Sequence, residues 1–162
     1  LTILDVGCGN GHSLEFISRF WKSKLYGMDL SPEAVRLAKL RVPQADIRCG
    51  FLEDKPFGDM TFELVILLGV AEHFEELQES LTLVKQLTKR GEGIFYFEVP
   101  NCISYPESSP EPGFRELATG NHQYEWHLDR PTWELTLKRC GFTIIESLKG
   151  PTITTEFVWL LE

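Results

Sequence analysis

The segment Leu4-Asp5-Val6-Gly7-Cys8-Gly9-Asn10-Gly11 constrains this chain more than any other. A short apolar run, Thr2 to Val6, passes into three alternating glycines, and an amphipathic stretch begins directly after them. Without Cβ atoms the backbone can turn tightly and a ligand can press against it. The N–H groups that open the following helix favour a polar or anionic ligand group. A second strand, Leu25-Tyr26-Gly27-Met28-Asp29, ends in an acid about twenty residues later, where a carboxylate accepts hydrogen bonds from ribose hydroxyls. The glycines alone fit a tight structural turn, and Asp29 alone fits a surface carboxylate. Set on consecutive strand ends, where open α/β sheets bind ligands, the two together point to a ribose-bearing ligand.

The rest of the chain alternates in the same way, which predicts an α/β fold with a mostly parallel sheet. The first helix carries Leu14, Ile17 and Trp21 at spacings of three and four. Ser31 caps the second helix, Pro32 fits its first position and Glu33 suits its positive dipole end. A third strand is expected at Asp46–Cys49. The continuous run Leu64-Val65-Ile66-Leu67-Leu68 reads as a strand covered on both faces. A long helix follows, with Leu77, Leu81, Val84 and Leu87 on one stripe, Glu75, Glu76 and Glu79 in its first turns, and Lys89 and Arg90 in its last. Ile94–Val99 is a further strand. Pro131 starts a last helix with Trp133, Leu137 and Cys140 on one face, closed by Gly141. Two strands, Phe142–Leu148 and Thr154–Leu161, end the chain around Gly150-Pro151. Between the strand Ile94–Val99 and the helix that starts at Pro131, residues 101–130 are rich in Pro, Gly and polar residues. A stretch this long is read as an insertion or lid, with a solvated loop as the alternative.

Glycine spacing narrows the ligand. A dinucleotide fingerprint reads G-x-G-x-x-G, which would require glycine at His12, whereas this chain reads G-x-G-x-G. That favours an adenosyl ligand without a pyrophosphate, and the carboxylate of Asp5 suits a ligand with an ammonium group. A nicotinamide oxidoreductase is the reading this spacing argues against.

Asp5-Val6-Gly7-Cys8-Gly9-Asn10-Gly11 resembles motif I of the class I S-adenosylmethionine-dependent methyltransferases. Leu25–Lys39 resembles that family's second strand and helix. Phe62-Glu63-Leu64-Val65 with Val70-Ala71-Glu72-His73-Phe74 resembles its fourth strand and following turn. Lys89–Gly93, Glu98-Val99-Pro100-Asn101 and Cys140-Gly141-Phe142 resemble later landmarks in the same order. The likeness runs over nearly the whole chain. It implies a Rossmann-like three-layer sandwich with a seven-stranded, mostly parallel sheet and an antiparallel last strand, as one domain over residues 1–162. It implies S-adenosylmethionine as cofactor and Asp5, Gly7, Cys8, Gly9, Gly11, Asp29, Leu30, Phe51, Leu52 and Leu68 as its site, with Gly69 facing it too. The glycines would approach the methionine part, Asp29 the ribose, and Phe51 and Leu52 the adenine. Phe51 replaces a common acid, for which Glu53 is a substitute; Glu63 replaces Asp, and Arg90 replaces Pro. The family's substrate-covering helix would precede Leu1, so none is expected within residues 1–162.

Methyl transfer needs alignment of nucleophile, methyl and sulfur more than acid–base help. Candidate bases are Glu72, His73, His122, Tyr124 and His127, none assigned as catalytic, and structural roles compete for each. His122 and His127 without a third ligand make a poor metal site. The segment His122–His127 resembles a stretch of the quinone-precursor and sugar methyltransferases. A net charge of −8 and the lack of a Lys/Arg patch argue against nucleic acid and leave a small-molecule acceptor. No membrane-spanning run or secretory signal is visible, and four scattered cysteines without C-x-x-C spacing predict a reducing, cytoplasmic setting. The reading is thus a small-molecule methyltransferase. Its rival is a domain that binds the cofactor without catalysis. Oligomeric state is not legible.

Overall fold

A computed structural model of the chain describes residues 1–100, 113–116, 124–149 and 156–161. Strands β1 (Thr2–Val6), β2 (Lys24–Asp29) and β3 (Asp46–Cys49) alternate with helices α1 (His12–Phe20) and α2 (Pro32–Arg41). Strand β4 (Leu64–Leu68), helix α3 (Leu77–Leu87) and strand β5 (Ile94–Pro100) follow. Strands β6 (Gly113–Glu116) and β7 (Tyr124–His127) precede helix α4 (Arg130–Arg139) and strands β8 (Ile144–Lys149) and β9 (Glu156–Leu161).

The sheet runs β3-β2-β1-β4-β5 with parallel pairing throughout, which bears out the Rossmann-like α/β class. β9 pairs antiparallel with β5, and β8 antiparallel with β9. Alternation along each strand feeds two cores. Ile3, Ile66, Leu25 and Ile47 pack with Leu14 and Ile17 of α1 and Val35 and Ala38 of α2. Leu4, Val6, Val65, Leu67, Phe95 and Phe97 pack with Leu81 and Val84 of α3 and Trp133 and Leu137 of α4. Helices therefore cover both faces, as a parallel sheet requires. Chain order reverses between β1 and β4, and ligands bind in the crevice outside the strand ends at such a point.

Several expected boundaries move. Trp21 does not join the inward stripe of α1. It ends the helix with extended backbone (φ −131°, ψ 133°) and is exposed. The long helix is shorter at both ends. Glu76 is its N-cap position, and it stops at Leu87 because Thr88 turns extended and bridges Phe62 in parallel. Lys89 N–H then donates to Phe62 O at 2.8 Å, so Lys89 and Arg90 lie outside the helix they were expected to close. α4 begins one residue early, at Arg130, because the Asp129 side chain accepts the Thr132 N–H at 3.0 Å. Cys140 is its C-cap position, and β8 starts at Ile144 rather than Phe142. The insertion contains a two-stranded antiparallel hairpin, β6–β7. His122 and Gly150-Pro151 lie outside the described residues, as do the side chains of Tyr124 and His127.

Candidate functional site

The crevice is built by two turns, one after β1 and one after β4. In the first, Gly7, Gly9 and Gly11 have φ of +73°, +51° and +81°, a region L-residues with a Cβ avoid. The Gly7 and Cys8 N–H groups both donate to Met28 O, at 2.8 and 2.9 Å, which lays the turn across the end of β2. A Cβ on Gly7 would overlap the Val70 side chain, and one on Gly11 would stand 3.1 Å from Ala38 Cβ. A Cβ on Gly9 would meet nothing within 4 Å. The outer two glycines thus permit close packing, and the middle one fronts open space.

Asp29 fastens this turn. Its Oδ2 accepts the Gly9 N–H at 2.8 Å, and its Oδ1 accepts the Ser31 N–H at 2.9 Å. The second bond is an Asx-type turn that also sets Ser31 as the cap of α2, where its hydroxyl accepts the Ala34 N–H at 3.2 Å. A carboxylate has about four acceptor sites, so two remain for a ligand.

Asp5 lies on the face of β1 that carries Ile3, the side covered by α1 and α2. It is 2% exposed, and among the described residues its Oδ2 has no hydrogen-bond partner. Burial pushes its carboxyl up to about 7, and the charge of Asp29 adds to the shift. Burial also pushes the Cys8 thiol up to about 12, with Asp5 and Asp29 adding to it, so this thiol is neutral.

The other expected contacts divide. Leu30, after the end of β2, and Phe51, after the end of β3, are both exposed. Leu52 is buried in the cluster of Phe57 and Phe62, so its side chain belongs to the core. Glu53 is exposed; its Oε1 accepts the Ser80 hydroxyl at 3.5 Å. Leu68 is partly buried at the end of β4 and Gly69 is exposed, with φ +62°. Glu63 serves the other end of the sheet. Its Oε2 accepts the Thr2 N–H at 2.8 Å, and that bond holds its carboxyl below the usual range.

After β4, residues Ala71–His73 form a 3-10 turn in which Glu72 is buried and His73 Nε2 lies 3.9 Å from Glu72 Oε1. The hairpin is latched to this turn, because Trp126 Nε1 donates to Phe74 O at 2.7 Å. Sequence reading did not single out Val70, Ala38 or Trp126 as parts of the site. Val70 and Ala38 matter through proximity to glycines distant in sequence, which leaves no local signal. Ser31, by contrast, was legible as the helix cap before Pro32 and Glu33. Among the described residues no group of three or more His, Cys, Asp or Glu is placed to hold a metal. No helix among them is long and apolar enough to cross a membrane.

Comparison with known proteins agrees with this geometry. Residues 4–97 match the family model described as a methyltransferase domain. The chain is 31% identical over 150 residues to an uncharacterized methyltransferase of Synechocystis, covering 88% of this chain and 67% of that one. It is 32% identical over 89 residues to the demethylmenaquinone methyltransferase of Chlorobaculum parvum, covering 55% of this chain and 37% of that enzyme, so it spans little more than a third of that relative. The solved structure of an S-adenosylmethionine-dependent methyltransferase from Mesorhizobium loti has the same fold, with a TM-score of 0.80 at 18% identity over 99% of this chain and 90% of that one. With its match across more than half its length, the chain belongs to the methyltransferase-domain family.

Proposed function

We propose that this chain holds S-adenosylmethionine in the crevice between the turns after β1 and β4 and methylates a small molecule. The observation that carries the reading is the glycine turn itself, packed at Gly7 and Gly11, open at Gly9 and fastened by Asp29. These residues fit the cofactor: an open cradle, two free acceptor sites on Asp29 and a buried carboxylate at Asp5. Gly7, Cys8, Gly9 and Gly11 would line its amino-acid part, Asp29 and Leu30 the ribose, Phe51 and Leu52 the adenine, and Leu68 and Gly69 the far wall. Phe51 would pack against the adenine ring, and Leu52 would contribute through its backbone.

When bound, the cofactor supplies a methyl group already activated on a sulfonium. The chain's own residues then have to orient it and exclude water. Glu72 and His73 stand at the end of β4 and can hold a proton if the acceptor must lose one; neither is assigned as catalytic. A quinone precursor or similar small molecule is the acceptor class. That choice rests on the Chlorobaculum relative's name and on the lack of a basic patch. The same reading treats residues 1–162 as one domain with 101–130 as its lid, seven sheet strands with the last reversed, and a reducing, cytoplasmic setting. The antiparallel pairing of β9 and the Trp126 latch support the first two, and the thiols of Cys8, Cys49 and Cys140, all free of disulfides, support the third.

Calorimetric titration with S-adenosylhomocysteine, with NAD as control, tests the site. The expected result is saturable binding of the first alone, weakened at least tenfold in Asp29→Ala. Binding of NAD instead, or of neither by a folded sample, would overturn the assignment.

A further inference from the structure

On the reading of this crevice as the cofactor site, we propose that Asp5 is a proton-linked counter-charge that makes the site hold a positively charged sulfonium donor more tightly than the thioether left after methyl transfer. The placement of Asp5 is unusual for a carboxylate. It sits one residue before the end of β1, 2% exposed, with its Oδ2 unpartnered among the described residues. A buried ionised carboxylate without partners is strongly disfavoured, and such a group either takes a proton or waits for a cation.

The surrounding elements leave that choice open. From β2, Asp29 contributes a negative charge, which opposes ionisation of Asp5. Within the turn, Cys8 stays a neutral thiol. β4 brings Ile66 alongside and has no ionisable side chain from Leu64 to Leu68. α1 sends Leu14 and Ile17 inward, while His12 is exposed. Glu15 of α1 is paired outward with Arg19 at 2.6 Å and Arg41 at 3.4 Å. No described cation therefore reaches Asp5, and the carboxyl rests near half-protonation with its midpoint at about 7.

A ligand cation entering this region would favour the ionised form, so binding would expel the proton to solvent. The donor carries one more positive charge than the product, at sulfur. Its binding should therefore release more of the proton and strengthen as pH rises toward 7, by up to roughly tenfold per pH unit. Methyl transfer removes that charge, Asp5 takes the proton back, and product leaves more readily.

The test is calorimetry of S-adenosylmethionine and S-adenosylhomocysteine in buffers of different ionisation enthalpy. Donor binding at pH 7 should release about half a proton and product binding clearly less. The Asp5→Asn variant should show neither the release nor the pH-dependent preference for donor. Equal release by both ligands would place the coupling on their shared ammonium group and overturn the proposal, as would buffer-independent heats. Failure of both ligands to bind would overturn the cofactor site as well, which separates the two failures. Carbon-13 carboxyl spectra of the wild-type protein need no variant. The Asp5 signal should titrate near pH 7 alone and well below it with donor bound; a midpoint near 4 in the free protein would overturn the proposal.

Discussion

The turns after β1 and β4 face one crevice and are held in different ways. The first is a backbone device: three left-handed glycines, two N–H groups on Met28 O and one acid from the end of the neighbouring strand, Asp29. The second is a side-chain device: a 3-10 turn around buried Glu72, latched from far along the chain by Trp126. The first is therefore held by bonds to the neighbouring strand, while the second depends on the packing of a distant hairpin. Cofactor binding suits the former. Acceptor choice suits the latter, since it can vary without disturbing the cradle.

The largest test of this contrast is the pH dependence of Asp5. Its carboxyl is raised from an ordinary 3.8 to about 7, so the folded state binds more protons than the unfolded chain between these values. Stability from this group is thus full below about 4 and falls as pH climbs to about 7, by about 4 kcal/mol in the limit. Urea melts from pH 4 to 8 should show wild type losing stability relative to Asp5→Asn across that window. A constant difference would mean that burial of Asp5 at the foot of the glycine turn carries no ionisation cost.

Gly7→Ala comes next. The new Cβ meets Val70 at a positive φ, so the first turn pushes on the second, and a loss of about 3 kcal/mol is expected. Gly9→Ala sharpens the point. Its Cβ meets nothing, so denaturation should show a loss of only about 1 kcal/mol, while affinity for S-adenosylhomocysteine falls at least tenfold. If the two variants lose stability equally, packing against Val70 does not distinguish them. The smallest effect is expected for Trp126→Phe, which removes one hydrogen bond to Phe74 O. Stability should fall by about 1 kcal/mol with cofactor affinity unchanged, and a large fall in affinity would show that the two turns are not independent.

Much of the glycine-turn side, the proposed cofactor side, was legible because its signals are local. Glycine spacing, an acid ending the next strand and Ser31-Pro32-Glu33 are each read within a few residues, and α2 runs from Pro32 as expected. The misplaced boundaries lie where a distant partner intervenes. Thr88 ends α3 because it pairs with Phe62, twenty-six positions earlier in the chain. Leu52, assigned to the adenine from its position after β3, has its side chain in the core because Phe57 and Phe62 surround it. The hairpin β6–β7 was invisible in a segment whose composition speaks only of turns.

By itself the sequence determined the alternation of strands and helices, the glycine turn and an acid at the end of the next strand, because periodicity, φ preference and capping act over a few neighbouring residues. Only the tertiary structure decided that Gly7 packs against Val70, that Gly9 alone of the three turn glycines faces open space, that Asp29 accepts the Gly9 N–H, and that Asp5 is buried with its Oδ2 unpartnered among the described residues. Those facts depend on which residues distant along the chain are brought together when two parallel strands join at a switch point, and no local pattern encodes that.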